Sequence, residues 1–252
     1  MKKKKFIQKI GIVFFSSLII IGIVFDYEKN HNRLPQSVKE LIEDKKNQSY
    51  SGVEEKTEVE HSINELPSIR EKYNNSEVMG RIQIPSLEID TWITRGNNND
   101  YYLSHNISHE KDVLGNPFFD YRNQDLLKDK QINIYGHNTN DKRFVSSLPF
   151  INLEAYVDSN IFHNYKDVYL SVDEKIIHYE VVGVKIITGN DTEHLKLNFS
   201  SDDDYVNHLK RLFQNTMYQD DVEISNDMRI LVLQTCHYNP KNTYLLVICQ
   251  EK

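Results

Sequence analysis

The sequence contains few of the residues that mark unusual protein classes. Its 252 residues include nine glycines, six prolines, two cysteines and a single tryptophan. So little glycine and proline excludes collagen-like and low-complexity chains. The length is sufficient for one globular domain with extensions and a hydrophobic core of useful size.

The sequence also lacks an excess of positive charge. Its net charge is −7, and five lysines (Lys2, Lys3, Lys4, Lys5 and Lys9) precede the first apolar segment. Removing these five charges leaves −12 for the chain from residue 26 onward. Proteins that bind nucleic acids need a basic surface to meet the phosphates. The composition therefore predicts no nucleic-acid partner.

One long apolar run is present. Residues 10–25 form an uncharged stretch of 16 residues directly after the lysines. A spanning helix needs about 20 residues, which residues 6–8 supply if the Lys9 amine reaches the interface. A cleaved signal peptide is the alternative, although no small-x-small site follows. The lysine cluster favours an uncleaved signal anchor with its amino terminus inside and an exported body.

The two cysteines are not predicted to form a disulfide. If residues 230–236 and 244–248 form an antiparallel hairpin, Cys236 lies opposite about Thr243. Cys249 is then roughly 20 Å further along the strand, at ~3.3 Å per residue. A disulfide requires Cα atoms within about 7 Å of each other. We therefore expect Cys236 to be a free thiol.

The chain divides into three predicted parts. Residues 1–25 are a cytoplasmic tail and signal anchor, and residues 26–75 are a polar stalk. The stalk has one short amphipathic helix near residues 37–42 and a second near 63–73, which we interpret as spacers, with a mobile linker over 43–60. Residues 76–252 form the main domain.

The main domain has the pattern of a mainly β fold. Short apolar or alternating segments predict strands over residues 79–84, 87–93, 131–136, 168–172 and 175–187, with a turn at 173–174. A helical period over residues 201–218, with a cap at Ser201, precedes the final pair of strands. We predict a mainly antiparallel barrel with peripheral helices.

Cys236 and His137 are the candidate catalytic residues, because each ends an apolar strand. A thiolate and a nearby proton donor are what cysteine peptidase-like chemistry needs. Inert packing of the cysteine is the alternative. His237 is a rival base, but neighbouring strand side chains point to opposite faces, which favours a surface role. His105 and His109 have metal-ligand spacing, yet no further ligands complete a set, so we predict no metal and no cofactor.

Several segments resemble the sortase family. Residues 231–236 (Leu-Val-Leu-Gln-Thr-Cys) resemble the sortase signature Thr-Leu-x-Thr-Cys, with Val232 in place of the first threonine. Residues 135–138 (Tyr-Gly-His-Asn) resemble the segment that carries the sortase histidine, and residues 84–90 and 119–123 resemble flanking segments. The helix before the cysteine strand and the helical amino-terminal extension resemble class B. The motifs occur in family order over residues 64–252.

The resemblance implies a fold, an activity and partners. It implies an eight-stranded sortase-type β-barrel with peripheral helices, an N-terminal helical extension and a transmembrane anchor. Cys236 would attack the sorting signal of a secreted protein and form a thioacyl enzyme, with His137 protonating the departing amine. An amine of peptidoglycan or of its lipid-linked precursor would then release the product. The predicted location is the cell membrane of a Gram-positive cell, with the catalytic domain outside.

The sequence departs from the family at one position. Sortases carry an arginine at the start of the strand after the cysteine, and Tyr244 aligns there. A tyrosine hydroxyl donates one hydrogen bond but carries no positive charge. We predict a catalytic role for Tyr244, with strand packing as its alternative; Lys241 is a candidate for the missing cation. An exported binding module with weak or no catalysis is the alternative function.

Overall fold

The computed structural model describes residues 34–51, 65–139 and 148–252. Residues 35–252 belong to one compact unit. The predicted anchor at residues 10–25 lies outside the described residues, as does the second half of the predicted linker, residues 52–60. None of the helices in the described ranges combines the length and the apolar character that a membrane span requires.

The domain is built on one sheet of nine strands. The strands are β1 (Val78–Ile84), β2 (Ile89–Thr94), β3 (Phe118–Phe119), β4 (Gln131–Gly136), β5 (Asp167–Val172), β6 (Lys175–Thr188), β7 (Tyr218–Gln219), β8 (Ile230–His237) and β9 (Thr243–Glu251). Their order is β5-β1-β2-β3-β4-β8-β9-β6-β7, and β5 also pairs with β6. That second pairing closes a ring of eight strands, with β7 attached outside it. The predicted mainly β, eight-stranded barrel is confirmed.

Most neighbouring strands are antiparallel, as predicted. The exceptions are β2 with β3 and β4 with β8, which are parallel. In the β4–β8 pair, Gln131 lies beside Ile230 and Gly136 lies beside Thr235. The carboxyl ends of these two strands therefore reach the same edge of the barrel.

Helices surround the barrel. The α-helices are α1 (Gln36–Ser51), α2 (Glu65–Tyr73), α3 (Ser159–Asn164) and α4 (Asp202–Leu212), and the longest 3₁₀ helix spans Pro149–Val157. The predicted cap of α4 is present, since the Ser201 hydroxyl accepts a hydrogen bond from the Asp204 amide at 3.1 Å. Such a bond satisfies one of the free amides of the first turn.

Helix α1 is longer than the sequence pattern predicts. It continues to Ser51, through the first residues of the predicted linker. Val38 and Ile42 are fully buried, and the Tyr165 hydroxyl donates to the Lys45 carbonyl at 2.7 Å. The Lys46 amine pairs with the Asp158 carboxylate at 2.9 Å. These contacts with distant residues stabilise a helix whose own periodicity is weak, because packing usually contributes more than propensity.

Strand β8 is buried on both faces, which explains its uninterrupted apolar run. Ile230 and Val232 pack against the buried side chains of α4. Leu231 and Leu233 are also fully buried and, by alternation, face the barrel interior. The same alternation puts Cys236 on the outer face and His237 on the inner face.

Candidate active site

Three strand ends bring the candidate residues together. His137 directly follows Gly136, which is the partner of Thr235 in the β4–β8 pair. On the other side of β8, Cys236 pairs with Tyr244 of β9. His137, Cys236 and Tyr244 line one open cleft of about 420 Å³. The other residues that line it are Asn99, Leu103, Phe118, Tyr135, Gly136, Leu195, Gln234 and Thr235.

The register of the last hairpin differs by one residue from the prediction. Cys236 lies opposite Tyr244, not Thr243, because His237 still belongs to β8 and pairs with Thr243. The turn therefore covers residues 238–242. A shift of one residue exchanges the two faces of a strand. Tyr244 is consequently on the same face as the thiol.

Cys236 is a free thiol, and so is Cys249. Cys249 pairs with Leu231, far along the hairpin from Cys236, so the predicted absence of a disulfide is confirmed. Burial raises the pKa of the Cys236 thiol, and the nearby Glu154 carboxylate raises that pKa further. Cys249 is completely buried, which raises the pKa of its thiol strongly. Cys236 is thus the thiol that a reagent or a substrate can reach.

A hydrogen bond to the backbone holds the His137 ring. Its Nε2 lies 2.8 Å from the Leu103 carbonyl oxygen. A carbonyl only accepts, so Nε2 carries the proton of the neutral ring, and Nδ1 is the nitrogen that can accept a further proton.

Two glycines allow close packing at the end of β4, Gly115 against the His137 ring and Gly136 against Phe150. A Cβ on Gly115, whose φ is +61°, would approach the ring Cδ2 to 3.1 Å and the Tyr102 carbonyl to 2.3 Å. A Cβ on Gly136 would overlap the Phe150 ring. Glycine at position 136 lets the end of β4 pack against Phe150, and glycine at position 115 leaves room for the histidine.

The described residues that line the cleft include no lysine or arginine. Lys241 is exposed in the turn before β9. Arg229 is at the opposite end of β8, where its Nη1 pairs with the Glu251 carboxylate at 2.5 Å. The Tyr244 ring packs against the buried cluster under α4. The described part of the site therefore offers the Tyr244 hydroxyl, and no guanidinium, at the position beside Cys236.

His237 is buried, so the predicted surface role is wrong, although its opposite orientation to Cys236 agrees with the alternation. Its Nδ1 lies 2.8 Å from Glu154 Oε2, and its Nε2 lies 2.5 Å from the Asn239 carbonyl oxygen. Bonding to Glu154 raises the pKa of His237 against the opposing effect of burial. The prediction failed because the partner that makes burial of His237 possible, Glu154, is 83 residues away in the sequence.

Glu154 is a residue that the sequence interpretation missed. It is buried in the 3₁₀ helix Pro149–Val157, where it is the one charged residue. A buried carboxylate needs partners, and this isolated charge in an apolar run was the available signal. Its Oε1 also accepts a hydrogen bond from Asn138 Nδ2 at 2.9 Å, and the same nitrogen donates to the Cys236 carbonyl at 2.8 Å.

His105 and His109 contact a tyrosine. His105 Nδ1 bonds to the Tyr101 carbonyl at 2.9 Å, and its ring stacks on the Tyr101 ring. His109 Nδ1 lies 3.3 Å from the Tyr101 hydroxyl. Within the described ranges, the residues close enough to share a metal ion are those of another cluster (Asp167, His178 and Glu180).

Comparison with known proteins agrees with this fold. No family model matches the chain. The sortase B of Listeria monocytogenes is 28% identical over 94% of this chain and 92% of its own length, and that of Staphylococcus aureus is 25% identical over 99% and 98%. The crystal structure of Clostridium perfringens sortase B has a TM-score of 0.67 at 28% identity, over 74% of this chain and 98% of that one. The chain is accordingly a class B sortase, a cysteine transpeptidase.

Proposed function

We propose that Cys236 is the nucleophile of a transpeptidation that joins secreted proteins to the cell wall, with His137 as acid and base. The observation that carries the proposal is the meeting of Cys236 and His137 in one cleft, at the ends of two parallel strands. A thiol and an imidazole at one cleft are the two groups that acyl transfer through a thioester requires.

The reaction needs two acyl transfers. The Cys236 thiolate attacks a peptide carbonyl of the sorting signal, the C–N bond breaks, and the departing amine takes a proton from His137. The acyl group then remains on sulfur as a thioester. An incoming amine attacks this thioester, gives its proton to His137, and leaves with the acyl group as a new amide. Cys236 and His137 return to their starting states.

In the proposed mechanism His137 acts through Nδ1. Because the Leu103 carbonyl holds the Nε2 proton, the proton that moves is the one at Nδ1. The raised pKa of Cys236 keeps its thiol protonated at neutral pH. Reaction therefore depends on the small fraction of molecules in which the proton has moved from the Cys236 sulfur to the His137 imidazole. A bound substrate that shields both groups from water increases the reactivity of the thiolate in these molecules.

The acceptor and the location are further parts of the proposal. An amine of peptidoglycan or of its lipid-linked precursor resolves the thioester. Residues 10–25 anchor the chain in the membrane with the amino terminus inside and residues 76–252 outside. The support is the lysine cluster before this apolar run and the need for the catalyst to stay beside its wall substrate.

A binding module with weak catalysis is the second candidate, and Tyr244 is the observation that favours it. Sortases place an arginine where Tyr244 lies opposite Cys236. An oxyanion donor contributes roughly 3 kcal/mol to the transition state, and charge-assisted bonds are about twice as strong as neutral ones. On this view the barrel binds sorting signals and turns them over slowly.

A peptide panel separates the two functions. The full chain in detergent is incubated with peptides of the Asn-Pro-x-Thr and Leu-Pro-x-Thr-Gly types, with triglycine as a soluble amine. The transpeptidase gives peptide–triglycine product and a thioester on Cys236, and Cys236→Ala gives neither. The matched control, Cys249→Ala, removes the buried thiol and retains product formation. Peptide binding without product supports the binding module, and equal turnover by Cys236→Ala excludes this nucleophile.

A further inference from the structure

The inner face of the strand ends carries a polar bridge. His237 directly follows Cys236 within β8, so its side chain points away from the cleft. Asn138 directly follows His137, beyond the end of β4, and its contacts place it on the same side as His237. Both meet the same carboxylate, because Glu154 Oε1 accepts from Asn138 Nδ2 and the carboxylate accepts from His237 Nδ1. The carboxylate thus joins the residue after each candidate catalytic residue.

We propose that Glu154 is a positioning residue that fixes His137 relative to Cys236. The bridge has a second connection across the same gap, from Asn138 Nδ2 to the Cys236 carbonyl. The two strands are far apart in the sequence, so their relative placement depends on such cross-links and on the β4–β8 ladder, which ends at Gly136 and Thr235. The inference rests on the proposed roles of Cys236 and His137.

The bridge requires a carboxylate at residue 154. His237 Nδ1 meets carboxylate oxygens and its Nε2 meets the Asn239 carbonyl. Both ring nitrogens therefore donate, which makes the ring an imidazolium. A buried cation needs a compensating anion, and the titratable groups beside it in the described chain are Glu154, Cys236 and Tyr238. Glu154 supplies that charge from the 3₁₀ helix.

The bridge has neighbours that hold the following turn. The Tyr238 hydroxyl donates to the Asn138 carbonyl at 2.9 Å. The Thr243 hydroxyl donates to the Pro240 carbonyl at 2.6 Å and lies 3.2 Å from the His237 carbonyl. The bridge therefore connects β4, β8 and the turn into β9, which carries Tyr244. Loss of the carboxylate affects all three sides of the cleft.

The position of Glu154 gives it two opposing effects. As an anchor it aligns Cys236 and His137 and so speeds the reaction, because small misplacements of reacting groups lower rates strongly. As an anion it raises the pKa of the Cys236 thiol and so disfavours the thiolate. Removing the charge should therefore slow turnover and, at the same time, lower the pH at which the thiol becomes reactive. Simple loss of folded protein does not produce this pair of changes.

The test compares full-length wild type with Glu154→Gln and Glu154→Ala. The amide of Glu154→Gln retains the shape and one acceptor oxygen, whereas Glu154→Ala removes the bridge. We expect kcat to fall at least tenfold in Glu154→Ala and less in Glu154→Gln, with KM within about twofold of wild type. Both variants should show a lower pH midpoint for alkylation of Cys236 by iodoacetamide.

The matched control is Asp167→Asn. It also removes a carboxylate from a histidine partner, since Asp167 Oδ1 lies 2.7 Å from His178 Nε2. Asp167 pairs with Glu180 on β6, whereas Tyr244 pairs with Ile187, roughly 23 Å further along that strand. Neither kcat nor the alkylation midpoint should change in this variant.

The outcomes are separable. A kcat within twofold of wild type in Glu154→Ala overturns the positioning role, and so does an unchanged alkylation midpoint in both variants. If Glu154→Ala does not fold, the same two criteria apply to Glu154→Gln. Unchanged turnover in Cys236→Ala, by contrast, overturns the proposed function and is seen before Glu154 is altered.

Discussion

The two faces of the strand ends at Cys236 are built differently. On the cleft face, and among contacts between described residues, the His137 side chain makes one hydrogen bond, whereas the Cys236 and Tyr244 side chains make none. On the inner face, Asn138 bonds to Glu154, to the Cys236 carbonyl and to the Thr139 amide. Glu154 and His237 share a further pair of bonds.

The difference shows how the molecule combines rigidity with reactivity. Side chains that must bond to a substrate are left with few partners of their own, because every internal bond would have to be exchanged on binding. The backbone beneath them is held from the other side, by buried groups whose bonds are made. The hydrogen bonds of the inner face therefore hold the backbone in place, while the side chains on the cleft face remain able to bond to a substrate.

The largest expected effect is at His137. His137→Gln can still donate to the Leu103 carbonyl but cannot transfer a proton, so kcat should fall about 10²- to 10⁴-fold. Steady-state turnover of the best peptide measures this change. The control, His163→Gln, alters an exposed histidine of α3. Equal turnover in both variants would show that the cleft face does not contain the acid and base.

The second effect is on stability and concerns the inner face. Glu154→Ala leaves the buried His237 without its anion, which should lower the free energy of unfolding by about 3 kcal/mol. Urea unfolding followed by tryptophan fluorescence measures the loss. Asp167→Ala, at an exposed pair, should cost less than about 1 kcal/mol. Similar losses in the two variants contradict the contrast between the faces.

The third effect concerns the missing cation. Tyr244→Arg restores a charged donor on the cleft face and should raise kcat/KM about tenfold, which corresponds to ~1.4 kcal/mol of transition-state stabilisation. Tyr244→Phe tests the hydroxyl and should lower kcat/KM by up to about tenfold. A loss in Tyr244→Arg combined with no change in Tyr244→Phe would assign Tyr244 to packing against α4.

The smallest effect is the pH dependence of stability from His237. Its pKa is raised in the folded state, so its protonation stabilises the fold fully below the unfolded pKa of about 6.5. This contribution is lost as the pH rises through the folded pKa, at about 1.4 kcal/mol for each unit of the shift. The difference in unfolding free energy between wild type and His237→Gln should therefore shrink from pH 6 to pH 9. A constant difference argues against the imidazolium.

Local patterns predicted the elements that depend on local physics. The β5–β6 hairpin, the capped helix α4 and the buried strand β8 follow from alternation, helical period and apolar runs. The meeting of His137 and Cys236 in one cleft followed from family motifs rather than from periodicity. Their catalytic roles, and that of Tyr244, remain predictions.

Long-range contacts explain what the sequence could not predict. The burial of His237 depends on Glu154, on a helix remote in the sequence, and helix α1 extends to Ser51 through contacts with Tyr165 and Asp158. The register of the β8–β9 hairpin depended on whether His237 belongs to the strand or to the turn. Because His237 belongs to the strand, Tyr244 and not Thr243 lies opposite the Cys236 thiol.

The parallel pairing of β4 with β8 has a consequence for folding. Gly136 and Thr235 are joined across 99 residues of chain, and such distant contacts form late because their loop-closure entropy must be overcome first. The same pairing brings the ends of β4 and β8 to the cleft, where His137 and Cys236 lie. A partly folded intermediate without it has no assembled reaction centre, so recovery of activity after denaturation reports directly on closure of the barrel.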